Sequence, residues 1–149
     1  MMSRSLFTSA RMGFSLLCLC VLFGCELPKD QRGTTERIEL ESEIHAGYSA
    51  QAEELAAERA WLAALGERKD ARIEEMPGEA HELVEALRRG EIDLIMGMPA
   101  KSPFATEVGL SRPYPNPQER AQKRAWAVRP GENAWLYEVD RLLMQETPR

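Results

Sequence analysis

Thiols and imidazoles are scarce. The three cysteines of this 149-residue chain stand at 18, 20 and 25, inside an apolar N-terminal stretch, so nothing beyond Cys25 can form a disulfide or a thiolate metal site. The only histidines are His45 and His81. Neither has a recognisable ligand spacing around it, and no zinc enzyme and no metal or cofactor is expected. Positive charge is also short. Nineteen Lys and Arg against 24 Asp and Glu leave a net charge of −5, a poor surface for nucleic acid, whose phosphates need cationic partners. No Ser-His-Asp order, Gly-rich phosphate loop, internal repeat or low-complexity tract occurs. Glu74 and Glu75 are adjacent on a strand candidate and would face opposite sides, so they cannot flank one substrate. The chain is not expected to be an enzyme. What is present, 44% apolar and 29% charged residues, suits one globular domain.

The chain opens with Arg4 and Arg11, then an apolar run from Met12 to Gly24. That run is too short for a membrane span of ~20 residues and has the form of a secretory signal peptide. It ends Leu22-Phe23-Gly24-Cys25, which resembles a bacterial lipoprotein lipobox. The resemblance implies a leader over 1–24 and lipidation of Cys25, which would hold the protein to a membrane on the extracytoplasmic side of the cell envelope. Acyl chains add ~0.8 kcal/mol of membrane affinity per buried CH₂, and several together anchor firmly. Residues 25–36 are polar and aperiodic and read as a flexible tether.

The domain is then expected over 37–149. Arg37 to Leu40 alternates and reads as a short strand. Ser49 to Leu65 reads as a helix capped by Ser49, with Leu55, Leu62 and Leu65 on its stripe, Trp61 at the stripe edge and Gly66 as its stop. Ala71 to Met76 is a strand candidate closed by Pro77-Gly78. Glu79 to Arg89 is a second helix burying Leu83, Val84 and Leu87, stopped by Gly90. Ile92 to Met96 reads as a buried parallel strand, so strand, helix and strand imply a right-handed crossover. Ala125 to Val128 is a last strand candidate. A helix from Ala134 to about Gln145, with Asn133 as its cap, buries Leu136, Val139, Leu142 and Leu143. His81 falls at a helix start and reads as solvent-facing, and His45 falls in a polar segment with no functional reading of its own. Arg112, Arg120, Lys123 and Arg124 read as a solvated basic patch.

The stretch from Glu82 to Met98 (Glu-Leu-Val-Glu-Ala-Leu-Arg-Arg-Gly-Glu-Ile-Asp-Leu-Ile-Met-Gly-Met) resembles a signature of bacterial extracellular solute-binding proteins, family 3. Those chains carry a helix ending Leu-x-x-Gly, a strand with an early Asp, and Gly at the strand end. Their later Phe-Ser-x-Pro-Tyr has its counterpart in Leu110-Ser111-Arg112-Pro113-Tyr114. The resemblance implies an α/β fold: one lobe of a periplasmic-binding-protein-like fold, with a small, mostly parallel sheet flanked by helices. Ligands of such sheets sit beyond the carboxyl ends of the strands. Gly97 and Met98 fall there, with Lys101, Ser102 and Phe104 in the following loop, whose N–H groups could hold a carboxylate.

Two departures qualify the resemblance. The family's Thr-x-x-Arg anion clamp is replaced by Lys101 and Phe104, so the bidentate Arg is missing. Only about a dozen residues separate Tyr114 from the return strand, too few for the family's second lobe. The expected protein is a membrane-anchored, solute-binding-like lipoprotein that takes a small solute for transport or sensing. Its partners would be the solute, the membrane through Cys25, and a transporter permease or a second-lobe protein. The alternative is a diverged single-lobe interaction module that has lost its ligand, docking through an exposed Tyr114 and the proline-rich loop.

Overall fold

A computed structural model describes residues 28–49, 55–116, 119 and 121–147. The leader at 1–24, Cys25 and Arg120 lie outside the described residues. The described elements run α1 (Thr34–Glu41), β1 (Glu43–Ser49), α2 (Ala56–Lys69), β2 (Arg72–Gly78), α3 (Ala80–Arg89), β3 (Leu94–Pro99), β4 (Gly109–Leu110), β5 (Tyr114–Pro115), β6 (Lys123–Val128) and α4 (Asn133–Glu146). They build one sheet in the order β2-β1-β3-β6-β4, with β5 also paired to β6. β2, β1 and β3 are parallel, and β6 runs antiparallel to β3, β4 and β5. The expected α/β class is observed, with one sheet flanked by helices.

The period of two along the strands sorts side chains between two cores. Leu94 and Met96 of β3 join Ile44, Ala46, Trp126 and Val128 under α1, α2 and α4. Ile95 and Met98 point the other way, onto Leu83, Val84 and Leu87 of α3. The β3–β6 register slips between Ile95 and Met98, which returns Met98 to the α3 side after Gly97. Helix α3 forms where expected. Glu79 and Glu82 make a reciprocal capping box, and Gly90 closes the helix. The strand at 72–78 and the last helix also form close to their expected bounds.

Several expectations are corrected. Residues 37–40 lie in helix α1, not in a strand. On a helix Ile38 and Leu40 fall on different sides; Ile38 is fully buried while Leu40 is 86% exposed. Ser49 does not cap a helix but ends β1, and α2 begins at Ala56. Gly66 does not stop α2, which continues to Lys69. It is buried where β2 comes close, since a Cβ there would stand 2.9 Å from the Ala71 carbonyl oxygen. The strand expected from Ile92 begins at Leu94. Tyr114 is not exposed; it is 3% accessible and packs edge-on against Trp61 with ring centres 5.1 Å apart. Trp61 itself is core, as its stripe position implies.

The stretch read as a tether is fastened to the body over its described part. The Asp30 carboxylate accepts the Thr35 N–H in the first turn of α1 and the Trp135 N–H in the first turn of α4. The buried Glu132 carboxylate accepts the N–H groups of Arg32 and Thr34. Two carboxylates thus satisfy orphan donors at two helix N-termini, where the helix dipoles favour negative charge.

Asp93 ties the rest. One carboxylate oxygen accepts the His45 N–H of β1 at 2.8 Å, and the other takes Arg37 of α1. Its own N–H donates to the His45 carbonyl, and its carbonyl accepts the Trp135 indole N–H of α4 at 3.0 Å. Asp93→Ala leaves the His45 N–H without its acceptor and the Arg37 guanidinium without this partner. Arg37 is partly solvated, which discounts the ion pair, so the expected loss is about 2–3 kcal/mol of unfolding free energy. Urea denaturation measures it; a loss below about 0.5 kcal/mol, the range of an ordinary surface substitution, contradicts this role.

Candidate functional site

The strand order reverses between β1 and β3, the kind of place where open α/β sheets form a ligand crevice. From β1 the chain crosses through α2 to β2 on one side, then through α3 back past β1 to β3 on the other. β1 and β3 are neighbours, and the chain leaves β1 toward α2 and β2 on one side but leaves β3 toward the following loop, β4 and β6 on the other. Their carboxyl ends therefore mark the reversal of strand order, the position where open α/β sheets bind ligands.

Gly97 stands at this end with φ of 66°, a conformation that costs a side-chain-bearing residue strain. A Cβ at Gly97 would meet Leu55 at 2.8 Å, with Glu58 and Arg124 just beyond, at 3.8 and 3.9 Å. These two form the electrostatic centre. Glu58 is fully buried, and its Oε1 accepts Arg124 Nη1 at 2.9 Å and the Tyr114 hydroxyl at 3.3 Å. Its Oε2 has no partner among the described residues. Burial raises the Tyr114 phenol above its ordinary range, and the Glu58 charge adds to the rise, so Tyr114 stays a neutral donor. Nearer the edge, Arg59 lies over the Tyr48 ring at 4.8 Å and donates to Glu75 at 2.9 Å. Glu74 turns to the opposite face toward His45, as adjacent strand positions require.

The loop after β3 is self-contained. Ala100 N–H donates to the Lys123 carbonyl, Ser102 N–H to the Pro99 carbonyl, and Phe104 N–H to Ser102 Oγ. Ala105 and Glu107 N–H groups are also taken up within the loop, so these donors do not form the carboxylate nest expected from sequence. Lys101 is exposed and lines an open groove of about 550 Å³ with Pro99, Pro113, Gln122 and Lys123. The structure therefore brings Gly97 to Glu58 and Arg124, and sets Lys101 beside a groove near the end of β3. Ser102 serves the loop's own turn. Met98 is 5% exposed and belongs to the α3-side core, against which the half-buried Phe104 also packs. Neither side chain joins Gly97, Glu58 and Arg124.

Sequence reasoning passed over Glu58, Tyr48 and Arg59, and placed Arg124 only in a basic surface patch. Glu58 carried a signal, because it falls on the stripe of Leu55, Leu62 and Leu65 where an acid has no place without a partner. Arg124 is not part of a solvated patch: its side chain is 14% exposed and spent on Glu58.

No protein-family model matches the chain, and comparison with curated proteins finds no match. Solved structures do match. The arginine-bound form of domain 1 from TmArgBP superposes with a TM-score of 0.63 at 18% identity, covering 73% of this chain and 97% of that one. An ancestral cationic amino acid solute-binding protein gives 0.62 at 13%, covering 75% and 93%. A mutant of ArgBP from T. maritima gives 0.62 at 10%, covering 75% and 92%. At such identities the likeness is one of fold. The α/β body described here has the fold of a single domain of periplasmic amino acid-binding proteins.

Proposed function

We propose that this chain is a membrane-anchored solute-binding-like lipoprotein whose working surface lies at the carboxyl ends of β1 and β3. The observation that carries the reading is the reversal of strand order between β1 and β3. There a glycine of positive φ stands over a buried Glu58–Arg124 pair whose second carboxylate oxygen has no partner among the described residues. Because Arg124 is engaged by Glu58, the charges this end can offer a zwitterion are the exposed Lys101 ammonium, for a carboxylate, and Glu75, for an ammonium or guanidinium. The solute class favoured is an amino acid, those with cationic side chains first. Binding rather than catalysis is the role. The neighbour described as the arginine-bound form of domain 1 supports the idea that one domain suffices to hold such a solute. Lipidation at Cys25, on the extracytoplasmic side of the envelope, rests on the lipobox resemblance and would keep the domain at the membrane beside a permease or second-lobe partner.

The solute is tested by thermal unfolding of the full chain in detergent against a panel of amino acids, organic acids and sugars. A ligand at 100 times its dissociation constant adds ~2.7 kcal/mol, which raises the midpoint by about 4 °C or more in a domain of this size. A shift with basic amino acids supports the reading. A cooperative melt unmoved by every compound contradicts it and favours the interaction module. The anchor is tested separately by fractionation: Cys25→Ser is expected to move the protein from membranes to the soluble fraction, and unchanged membrane retention defeats the lipidation claim.

A further inference from the structure

The opposite end of the sheet carries a second cluster. β1 and β2 pair in parallel register with His45 beside Glu74 and Glu43 beside Arg72. Positions 43 and 45 share one face of β1, and 72 and 74 share the same face of β2. Near the amino ends of these strands, far along them from Gly97, two carboxylates and an imidazole therefore converge. His45 Nε2 is 3.4 Å from Glu74 Oε2 and 3.8 Å from Glu43 Oε2, and one ligand atom from each of the three residues lies within 4.8 Å of the others.

We propose that Glu43, His45 and Glu74 form a binding site for a divalent transition-metal ion of the Zn²⁺ class. The spacing is close to what an ion needs: donors held 2.0–2.2 Å from a tetrahedral ion stand about 3.3–3.6 Å from one another, the His45–Glu74 pair is already at 3.4 Å, and Glu43 has to draw in from 3.8 Å. The donor set fits, since imidazole nitrogen with carboxylate oxygens suits Zn²⁺ and its neighbours in the first row. The ligands sit on paired strands, not on loops, which limits how far they must move. The imidazole is also oriented from behind. His45 Nδ1 faces Asp93 Oδ2 at 3.5 Å, and that carboxylate is fixed by the His45 N–H and by Arg37. A carboxylate behind the far ring nitrogen is the outer-shell arrangement that sets the tautomer of a metal-bound histidine.

Arg72 is the competitor. Its Nη2 lies 2.6 Å from Glu43 Oε1 and 2.8 Å from Glu74 Oε1, taking the oxygen of each carboxylate that does not face His45. The Arg72 side chain is 64% exposed, so it can swing into water when an ion arrives. The site differs from the one at Gly97 in place, ligands and chemistry, and does not depend on the solute reading.

The test uses the full chain in detergent with Zn²⁺ alone as the probe. The chain has two histidines, so its imidazole NMR signals resolve His45 from the exposed His81 as an internal control. Zn²⁺ is expected to move the His45 signals and leave those of His81 in place. Calorimetry is expected to show affinity falling at least tenfold in Glu74→Gln and in His45→Gln. In Arg72→Gln it should rise severalfold, a gain that misfolding cannot produce. Zn²⁺ uptake undiminished in His45→Gln assigns the ion to the cysteines and overturns the proposal. So do His45 signals that stay fixed, or an Arg72→Gln variant that binds no better than the parent.

Discussion

The buried carboxylate of Asp93 is the contact on which the rest of the molecule turns. It stands just before β3 and grips the backbone of β1 at His45, while Arg37 of α1 neutralises its charge and its carbonyl holds Trp135 of α4. A buried carboxylate is costly unless every lone pair finds a donor, so it tolerates little displacement. That rigidity sets β3 against β1, with Ala46 beside Leu94 and Tyr48 beside Met96. The alignment places Gly97 at the reversal of strand order, by their carboxyl ends. At the amino ends the same residue backs the imidazole of His45. One side chain thus conditions both surfaces.

Helix packing completes the arrangement. Gly47 lies between these ends on the α3 side of β1, where a Cβ would stand 2.7 Å from Ile92 and 2.9 Å from Leu83. A side chain at this position would push back the tips of Ile92 and Leu83, so glycine lets the second core close near the strand. α3 reaches the sheet at Gly47, while the face at Glu43, His45 and Glu74 stays partly open to solvent. At the other boundary, Asp30 and Glu132 bind the start of the described chain to the entry of α4, which seals the core opposite α3. The two cores therefore differ in construction: one is covered by three helices, the other by α3 and the loop after β3.

Much of this was legible in the residues. The stretch from Glu79 to Met96 announces itself through an amphipathic face, a glycine stop and an apolar run, and it folds nearly as read. β1 was not legible, because Glu43 to Ser49 has only Ile44 and Tyr48 as large apolar residues. Its burial comes from Ala46 and Gly47 lying beneath helices that no local pattern reveals. The strand expected at 37–40 failed for the converse reason, two apolar residues alternating in a segment whose neighbours favour a helix. At the site, Gly97 could be placed from its position at a strand end. Glu58 and Arg124 are 66 residues apart, and their pairing arises from the fold alone. The register slip at Gly97 turns Met98 onto the α3-side core, and Phe104 packs against that core beneath the loop.

The claim that the working surface lies at the carboxyl ends of β1 and β3 is tested most directly by mapping backbone amide shifts of the isotope-labelled protein during titration with millimolar L-arginine. The account predicts that Gly97, Ala100, Lys101 and Arg124 respond together and saturably, while Glu43 and Glu74 at the amino ends do not. Saturable shifts centred on the amino ends, or no saturable shift at any residue, would contradict it.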